Sequence, residues 1–161
     1  TEIYTLSLHD ALPIFAIVVI LLMGSQFAFA NYAFYKKVSS TCKYYRVSVD
    51  QKKMALTKNA DGSYQFSIEM QSLRNNFEMV MLVGFISVGQ AINHQESFAK
   101  KKPGYTAIVP GNTEVTVTIP ISRQNTIITA KASAEHIRQL TDGKIDTAGF
   151  MRLIKDSIQT L

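Results

Sequence analysis

The side chains best suited to catalysis or metal binding are few and widely separated in this sequence. Beyond residue 14 they are Cys42, His94 and His136. A zinc site needs three or four nitrogen, sulfur or oxygen ligands. The acids nearest the histidines are Glu96 and Glu135, but residues one or two apart on a helix do not face each other. We therefore predict no metal site, and solvated or capping roles for both histidines.

Nucleophilic catalysis has equally little support. A catalytic triad is assembled by the fold and can be hidden in a sequence, but there is no G-x-S-x-G nucleophile elbow. Cys42 lies beside Lys43, which could lower the thiol pKa, yet nothing else marks it as a nucleophile. Phosphate-loop and dinucleotide-binding motifs are absent, so no cofactor is predicted. A lone cysteine in an oxidising compartment can pair with another chain, but we expect Cys42 to be buried and inert.

The segment "DGKIDTAGF", residues 142–150, resembles the second half of an EF-hand calcium loop. Such a loop needs a ring of oxygen ligands that ends in a bidentate glutamate. With Gly143 as the central glycine of the loop, Gly149 occupies the position of that glutamate, and too few ligands remain. We predict instead that one helix ends at Gly143 and that Asp146 caps the next.

Cations and aromatic residues are concentrated at the start of the region that follows residue 30. Residues 31–58 contain seven Lys and Arg side chains against the single acid Asp50, interleaved with four tyrosines and a phenylalanine. Such a mixture suits single-stranded nucleic acid or an anionic membrane surface, and the alternative is a solvated basic arm. The candidate surface-binding residues are Lys36, Lys37, Lys43, Arg46, Lys52, Lys53, Lys100, Lys101 and Lys102.

An unbroken apolar run extends from Phe15 to Met23, and Ala28-Phe29-Ala30 follows it. This combination is typical of a secretory signal peptide, because signal peptidase requires small side chains at two positions before the cleaved bond. We predict cleavage between Ala30 and Asn31, with residues 15–30 as the apolar region and cleavage site. The remaining chain, residues 31–161, carries all 17 basic side chains and ten of the twelve acids, a net charge of +7.

The alternative for the same segment is an uncleaved membrane anchor, since Ala11 to Ala30 is just long enough to span a bilayer. Pro13 and the polar residues that follow Met23 weaken that interpretation. Residues 1–14, "TEIYTLSLHDALPI", lack the Lys or Arg of a signal peptide and resemble a translated sequencing adapter. We expect them to be non-native and exclude them from the fold.

Alternating apolar residues predict β-structure in the first half of the remaining chain. We interpret residues 31–42 as an exposed basic and aromatic lead-in, and residues 43–50 as a half-buried strand. Residues 53–70 predict a β-hairpin around the turn "NADGS". The next element is a long helix with Ser72 as its N-cap. Its apolar centre should be buried on more than one side, and residues 93–104 should form a charged loop.

The second half repeats the order of strand, hairpin and helix. A short strand is predicted over residues 105–109 and a second hairpin over residues 115–132, with Pro120 at a sheet edge or bulge. Ser133 and Asp146 are expected to cap two shorter C-terminal helices. The whole predicts one α+β domain over residues 43–161, with a mainly antiparallel sheet of four to six strands packed by the long apolar helix.

These features predict a small exported bacterial protein of the cell envelope, periplasmic or secreted. The expected role is a non-enzymatic binding or accessory module for a partner protein or an anionic surface. Nucleic acid is disfavoured, because it is an uncommon partner outside the cytoplasm. Two alternatives stay open: a small periplasmic hydrolase or ligand-binding domain, and an inner-membrane protein that keeps its N-terminal anchor. The sequence does not indicate the oligomeric state.

Overall fold

The computed structural model describes residues 31–73, 75–121 and 124–161, so the adapter-like and signal segments lie outside the described residues. The described part contains four α-helices and one five-stranded sheet. The helices are α1 (residues 31–44), α2 (Phe77–Lys101), α3 (Ala134–Thr141) and α4 (Thr147–Ile154). The strands are β1 (Met54–Lys58), β2 (Tyr64–Gln71), β3 (Pro110–Ile121), β4 (Gln124–Ser133) and β5 (Gln159–Thr160).

The strands lie in the order in which the chain makes them, β1-β2-β3-β4-β5. Three neighbouring pairs are antiparallel, and β2 with β3 is parallel. A parallel pair cannot be joined by a tight turn, so α2 crosses from the end of β2 to the start of β3. The predicted α+β class and the mainly antiparallel sheet are confirmed, as are both hairpins, whereas the helical crossover replaces the hairpin-only connections that we expected.

One face of the sheet is buried beneath the helices and the other is polar. Phe66, Ile68 and Met70 alternate along β2 and lie in the core. The register places Ile68 beside Val115 of β3, so the buried face continues across the sheet. We call the opposite side the open sheet face. It carries hydroxyl and charged side chains, listed here from β2, β3 and β4: Gln65, Ser67, Glu69, Glu114, Thr116, Thr118, Thr129 and Lys131.

Helix α2 lies across the buried face and contacts other elements through small side chains. A methyl group at Gly84 would lie 2.9 Å from Val115 Cγ1 in β3, and one at Gly89 would lie 1.9 Å from Thr141 Oγ1 in α3. Both glycines therefore permit an approach that a larger residue would block. The prediction that this helix is buried on more than one side is confirmed. Its N-terminal half is apolar, and it continues to Lys101 through residues expected to form a loop.

The prediction for residues 31–50 was wrong. Phe34, Val38 and Cys42 are fully buried at intervals of four residues, which makes residues 31–44 an amphipathic helix rather than an exposed lead-in. Phe34 packs edge-on against Phe66 of β2, with ring centroids 5.2 Å apart. Residues 47–50 have no regular structure, and a 3-10 turn, Gln51–Lys53, replaces the end of the expected strand.

Helix α1 runs in the opposite direction to α2 and covers the β1 edge. Cys42 Sγ lies 3.2 Å from Ser87 Oγ, and Val47, which follows the end of α1, lines a groove with Val80, which precedes Ser87 in α2. The Tyr35 hydroxyl accepts a 2.9 Å hydrogen bond from the backbone N–H of Leu56 in β1. This bond satisfies a donor on an edge strand, where unpaired backbone groups invite pairing with other chains.

Two other local predictions were also wrong. Ser72 does not cap a helix, because β2 extends to Gln71 and α2 begins only after Asn76, which makes no side-chain cap hydrogen bond. Residues 105–109 do not form a strand. Since β2 begins at Tyr64, opposite Pro110, the chain before Pro110 has no strand beside it. Pro120 lies beyond the last β2 pairing, in the part of β3 that pairs only with β4.

The C-terminal helices have the caps that their sequences predict. The Ser133 hydroxyl accepts a hydrogen bond from the His136 N–H at the start of α3, and Asp146 Oδ1 accepts one of 2.7 Å from the Gly149 N–H in α4. Gly143 ends α3 with a backbone φ of 71°. The interpretation of "DGKIDTAGF" as a helix end followed by a helix cap is therefore confirmed.

Candidate anionic-surface interface

The side of α1 that faces away from the core presents cations and tyrosines together. Because Phe34, Val38 and Cys42 fix the buried stripe, residues at the same spacing on the opposite side must be exposed. The exposed stripe, which we call the α1 face, comprises Tyr32, Lys36, Ser40, Lys43 and Tyr44. Tyr44 is 81% exposed and Tyr32 is 58% exposed, so the aromatic rings are available for contact.

On the α1 face, a lysine ammonium group lies close to an aromatic ring. Lys36 Nζ lies 6.0 Å from the centroid of the Tyr32 ring, within the range of a cation–π contact. The rings of Tyr44 and Tyr45 meet edge to face at 5.2 Å. Within the described residues, no carboxylate forms an ion pair with Lys36, Lys37 or Lys43. Their positive charges are therefore not neutralised by an ion pair within the part of the chain that the structure describes.

Arg46 extends this cationic region past the end of the helix. The Val47 N–H donates to the Cys42 carbonyl and the Arg46 N–H to the Lys43 carbonyl, the paired bonds of a Schellman motif. The residue between the helix and Val47 must then adopt a left-handed conformation, and Arg46 has a φ of 60°. Glycine is the usual residue there, as at Gly143, so an arginine in this position is energetically unfavourable.

The other predicted cations lie elsewhere. Lys52 is exposed in the 3-10 turn, and Lys53 forms a 3.2 Å ion pair with Glu69 on the open sheet face. Residues 100–102 lie at the far end of α2, where Lys102 sits 5.8 Å from the centroid of the Phe98 ring. The structure thus brings together Lys36, Lys37, Lys43 and Arg46. Lys53 lines a groove with Arg46 but is paired with Glu69, and the three lysines at the C-terminal end of α2 lie apart from α1.

A cleft of about 360 Å³ lies between α1 and α2 beside this face, and sequence reasoning did not find it. Its lining residues are Lys37, Ser40, Thr41, Tyr44, Tyr45 and Gln90. Gln90 comes from a helix fifty residues away in the chain, so only the packing of α1 on α2 brings it here. A second groove, of about 390 Å³, contains Arg46 and Lys53 together with Asp50 and Glu69, and these charges balance.

Chemically reactive side chains are not gathered into a site by the described part of the chain. Cys42 is buried, as predicted, and burial raises the pKa of its thiol, which opposes formation of the nucleophilic thiolate. His94 is exposed and His136 is half-buried. Arg138 pairs with Glu96 across α2 and α3. Among the described residues, no three His, Cys, Asp or Glu side chains are grouped closely enough to hold a metal ion.

Comparison with models of known protein families, with curated protein sequences and with solved structures gives no match. None of the helices described here is both long enough and apolar enough to cross a membrane.

Proposed function

We propose that this protein is a non-enzymatic module of the bacterial cell envelope that binds the surface of an anionic phospholipid membrane through the α1 face. The observation that carries the proposal is a set of cations that form no ion pair among the described residues, Lys36, Lys43 and Arg46, beside exposed tyrosines. Tyrosine is enriched at the boundary between water and lipid headgroups. The cations attract the anionic headgroups, and the rings enter the interface.

The strength expected of this surface is moderate. A Lys or Arg near an anionic leaflet contributes about 1 kcal/mol at physiological ionic strength. Three such cations give reversible binding whose strength falls steeply as salt screens the charges. Lys53 is a weaker candidate for attracting anionic headgroups, because its ion pair with Glu69 neutralises its charge.

The position of α1 in the chain supports a role close to a membrane. The apolar segment predicted over residues 15–30 is followed immediately by α1. If that segment is cleaved, the protein is periplasmic or secreted, and the α1 face must find its membrane by diffusion. If it is retained as an anchor, Lys36 follows its last residue by six positions in the chain. Lys36 and Lys37 would then also act as topology signals that favour a cytoplasmic C-terminal side.

The experiment is vesicle sedimentation of residues 31–161, using vesicles of phosphatidylcholine with or without phosphatidylglycerol. The double substitution Lys36→Gln with Lys43→Gln should weaken binding to the anionic vesicles about thirtyfold. The matched control is Lys58→Gln with Lys155→Gln, which removes the same charge from two exposed positions outside α1. We expect the control to bind like the parent protein.

Salt gives the second readout. Raising the ionic strength from about 0.05 M to 0.5 M should release the parent protein from the vesicles, because the Debye length shortens severalfold. Equal binding to vesicles with and without phosphatidylglycerol, or binding that salt leaves unchanged, would contradict the proposal. Equal losses in the α1 double variant and its control would show that net charge matters and the α1 face does not.

A further inference from the structure

The cleft between α1 and α2 offers several hydrogen-bond donors and one cation. Lys37, Tyr44, Tyr45 and Gln90 are the side chains in its lining that can donate to a ligand. Among the described residues, no carboxylate lines the cleft. Its formal charge is therefore +1, in contrast to the balanced charges of the groove beside Arg46.

The two remaining hydroxyls in the lining have a different role. The Ser40 Oγ and the Thr41 Oγ1 both donate to the Lys37 carbonyl, at 2.9 Å and 3.0 Å. Their protons are thus used within α1, and their free lone pairs can only accept hydrogen bonds. A ligand in the cleft would meet donors from Lys37, Gln90 and the tyrosines, and acceptors from these two hydroxyls.

We propose that this cleft binds the headgroup of a single anionic phospholipid, with its phosphodiester beside Lys37. A phosphodiester carries one negative charge, which matches the single cation of the cleft, and its oxygens accept bonds from the neutral donors. Hydroxyl groups of a polyol headgroup such as glycerol can donate to Ser40 and Thr41. This inference rests on the proposed function, because Tyr44 belongs to both the cleft and the α1 face, which places a headgroup here at the membrane surface.

The test uses a soluble headgroup, so that it is independent of vesicle binding. Glycerophosphoglycerol, the deacylated form of phosphatidylglycerol, is titrated into residues 31–161, and the amide resonances are followed by NMR. We expect saturable shifts confined to the residues around the cleft. Lys37→Met should weaken binding about tenfold through loss of the charge-assisted bond. Tyr44→Phe, at a highly exposed position that leaves packing intact, should weaken it about threefold.

Two comparisons fix the site and the ligand class. Lys155→Met removes a cation from an exposed position outside both the cleft and the α1 face, and this variant should bind the headgroup as the parent protein does. A thymidine oligonucleotide presents the same phosphodiester chemistry on a different macromolecule. Shifts in the cleft at lower concentrations of oligonucleotide than of headgroup would overturn the lipid assignment in favour of a nucleic acid.

Failure of this inference and failure of the proposed function give different results. If vesicles bind but glycerophosphoglycerol causes no saturable shifts, the α1 face acts through diffuse electrostatics and the cleft is not a headgroup site. Equal weakening by Lys155→Met and Lys37→Met would overturn the inference in the same way. If the headgroup binds in the cleft but the protein does not bind the anionic vesicles, the membrane proposal is wrong while the assigned ligand chemistry stands.

Discussion

Arg46 and Gly143 occupy the same position in two Schellman motifs, and the comparison isolates the cost of a side chain there. At Gly143 the left-handed backbone carries no Cβ, whereas at Arg46 a Cβ approaches the carbonyl that follows it. The substitution Arg46→Gly should therefore raise the free energy of unfolding by about 1 kcal/mol. Urea denaturation monitored by circular dichroism measures this change.

A charge-matched variant separates stability from binding at the same position. Arg46→Gln removes the cation but keeps the side chain, so it should leave the stability unchanged within error. Both variants should lose the same vesicle affinity, because both lose one positive charge from the region of the α1 face. If Arg46→Gly were no more stable than Arg46→Gln, the left-handed conformation would not be unfavourable in this protein.

Cys42 makes a pH-dependent contribution to stability. Burial is the main cause of its raised pKa, and the hydrogen bond between Cys42 and Ser87 opposes the shift only in part. Above the ordinary thiol pKa of 9.0, the folded state keeps the proton of the Cys42 thiol at a pH at which the unfolded state releases it. The free energy of unfolding therefore falls as the pH rises above 9.0. Below that pH the contribution is constant. Cys42→Ala should show a shallower fall between pH 8 and pH 10 when its unfolding is compared with that of the parent protein.

Chemical labelling gives an independent check on the same thiol. Iodoacetamide at pH 8 should modify native Cys42 far more slowly than the urea-unfolded chain, because only the thiolate attacks the reagent and the side chain is fully buried. Fast labelling of the native protein would mean that α1 separates readily from α2.

At the scale of elements, helix α1 is part of the core and not an appendage. Phe34 is fully buried and contacts Phe66 of β2, next to the β1 edge that Tyr35 covers. Phe34→Ala should therefore lower the free energy of unfolding by about 3 kcal/mol or more. The matched control is Tyr32→Ala, a similar loss of ring area at an exposed position on the same helix. Equal small effects of both substitutions in urea denaturation would mean that α1 is not docked.

The helices and hairpins that local sequence predicted are those whose signals lie close together in the chain. "NADGS" forms the first hairpin turn, and Ser133 and Asp146 cap α3 and α4 because each hydroxyl or carboxylate needs only an amide two or three residues away. The parallel pairing of β2 with β3 could not be predicted in this way. It depends on the helix that separates them and on contacts such as Gly84 with Val115.

Helix α1 shows why the candidate site was only partly predictable. The alternation of Tyr45, Val47 and Val49 is typical of a strand, but no neighbouring strand is available there, and the end of α1 places Arg46 in the left-handed region. The sequence shows that cations and tyrosines are concentrated in residues 31–58. It could not show which of them share a face, because that depends on the helical spacing set by Phe34 and Val38.

At the scale of the whole molecule, charge is distributed unequally between its two sides. The open sheet face carries neutralised pairs, Lys53 with Glu69 and Lys131 with Glu114. The helical side carries the α1 face, whose lysines have no acidic partner among the residues described. An anionic membrane should therefore orient the protein with α1 toward the lipid and the open sheet face toward water.

The lysines at the end of α2 test this orientation. Helices α1 and α2 run in opposite directions and touch where Cys42 meets Ser87. Lys36 and Lys101 both lie toward the same end of the helix pair from that contact, and Lys101 lies about 12 Å farther along the helix axes than Lys36. That spacing exceeds the Debye length of about 8 Å at physiological salt. Replacing Lys100, Lys101 and Lys102 by glutamine should therefore weaken vesicle binding less than the double substitution in α1, although it removes three charges and not two.

The sedimentation assay decides between two orientations. If α1 faces the lipid, the triple variant keeps most of its vesicle affinity. Combining its three substitutions with the two of the α1 double variant then lowers the affinity little further. If the triple variant binds vesicles more weakly than the α1 double variant, the C-terminal end of α2, around Phe98 and Lys102, contacts the membrane in place of the α1 face. The α1 face would then lie along the side of the bound molecule, and the cleft that contains Gln90 would be directed away from the lipid.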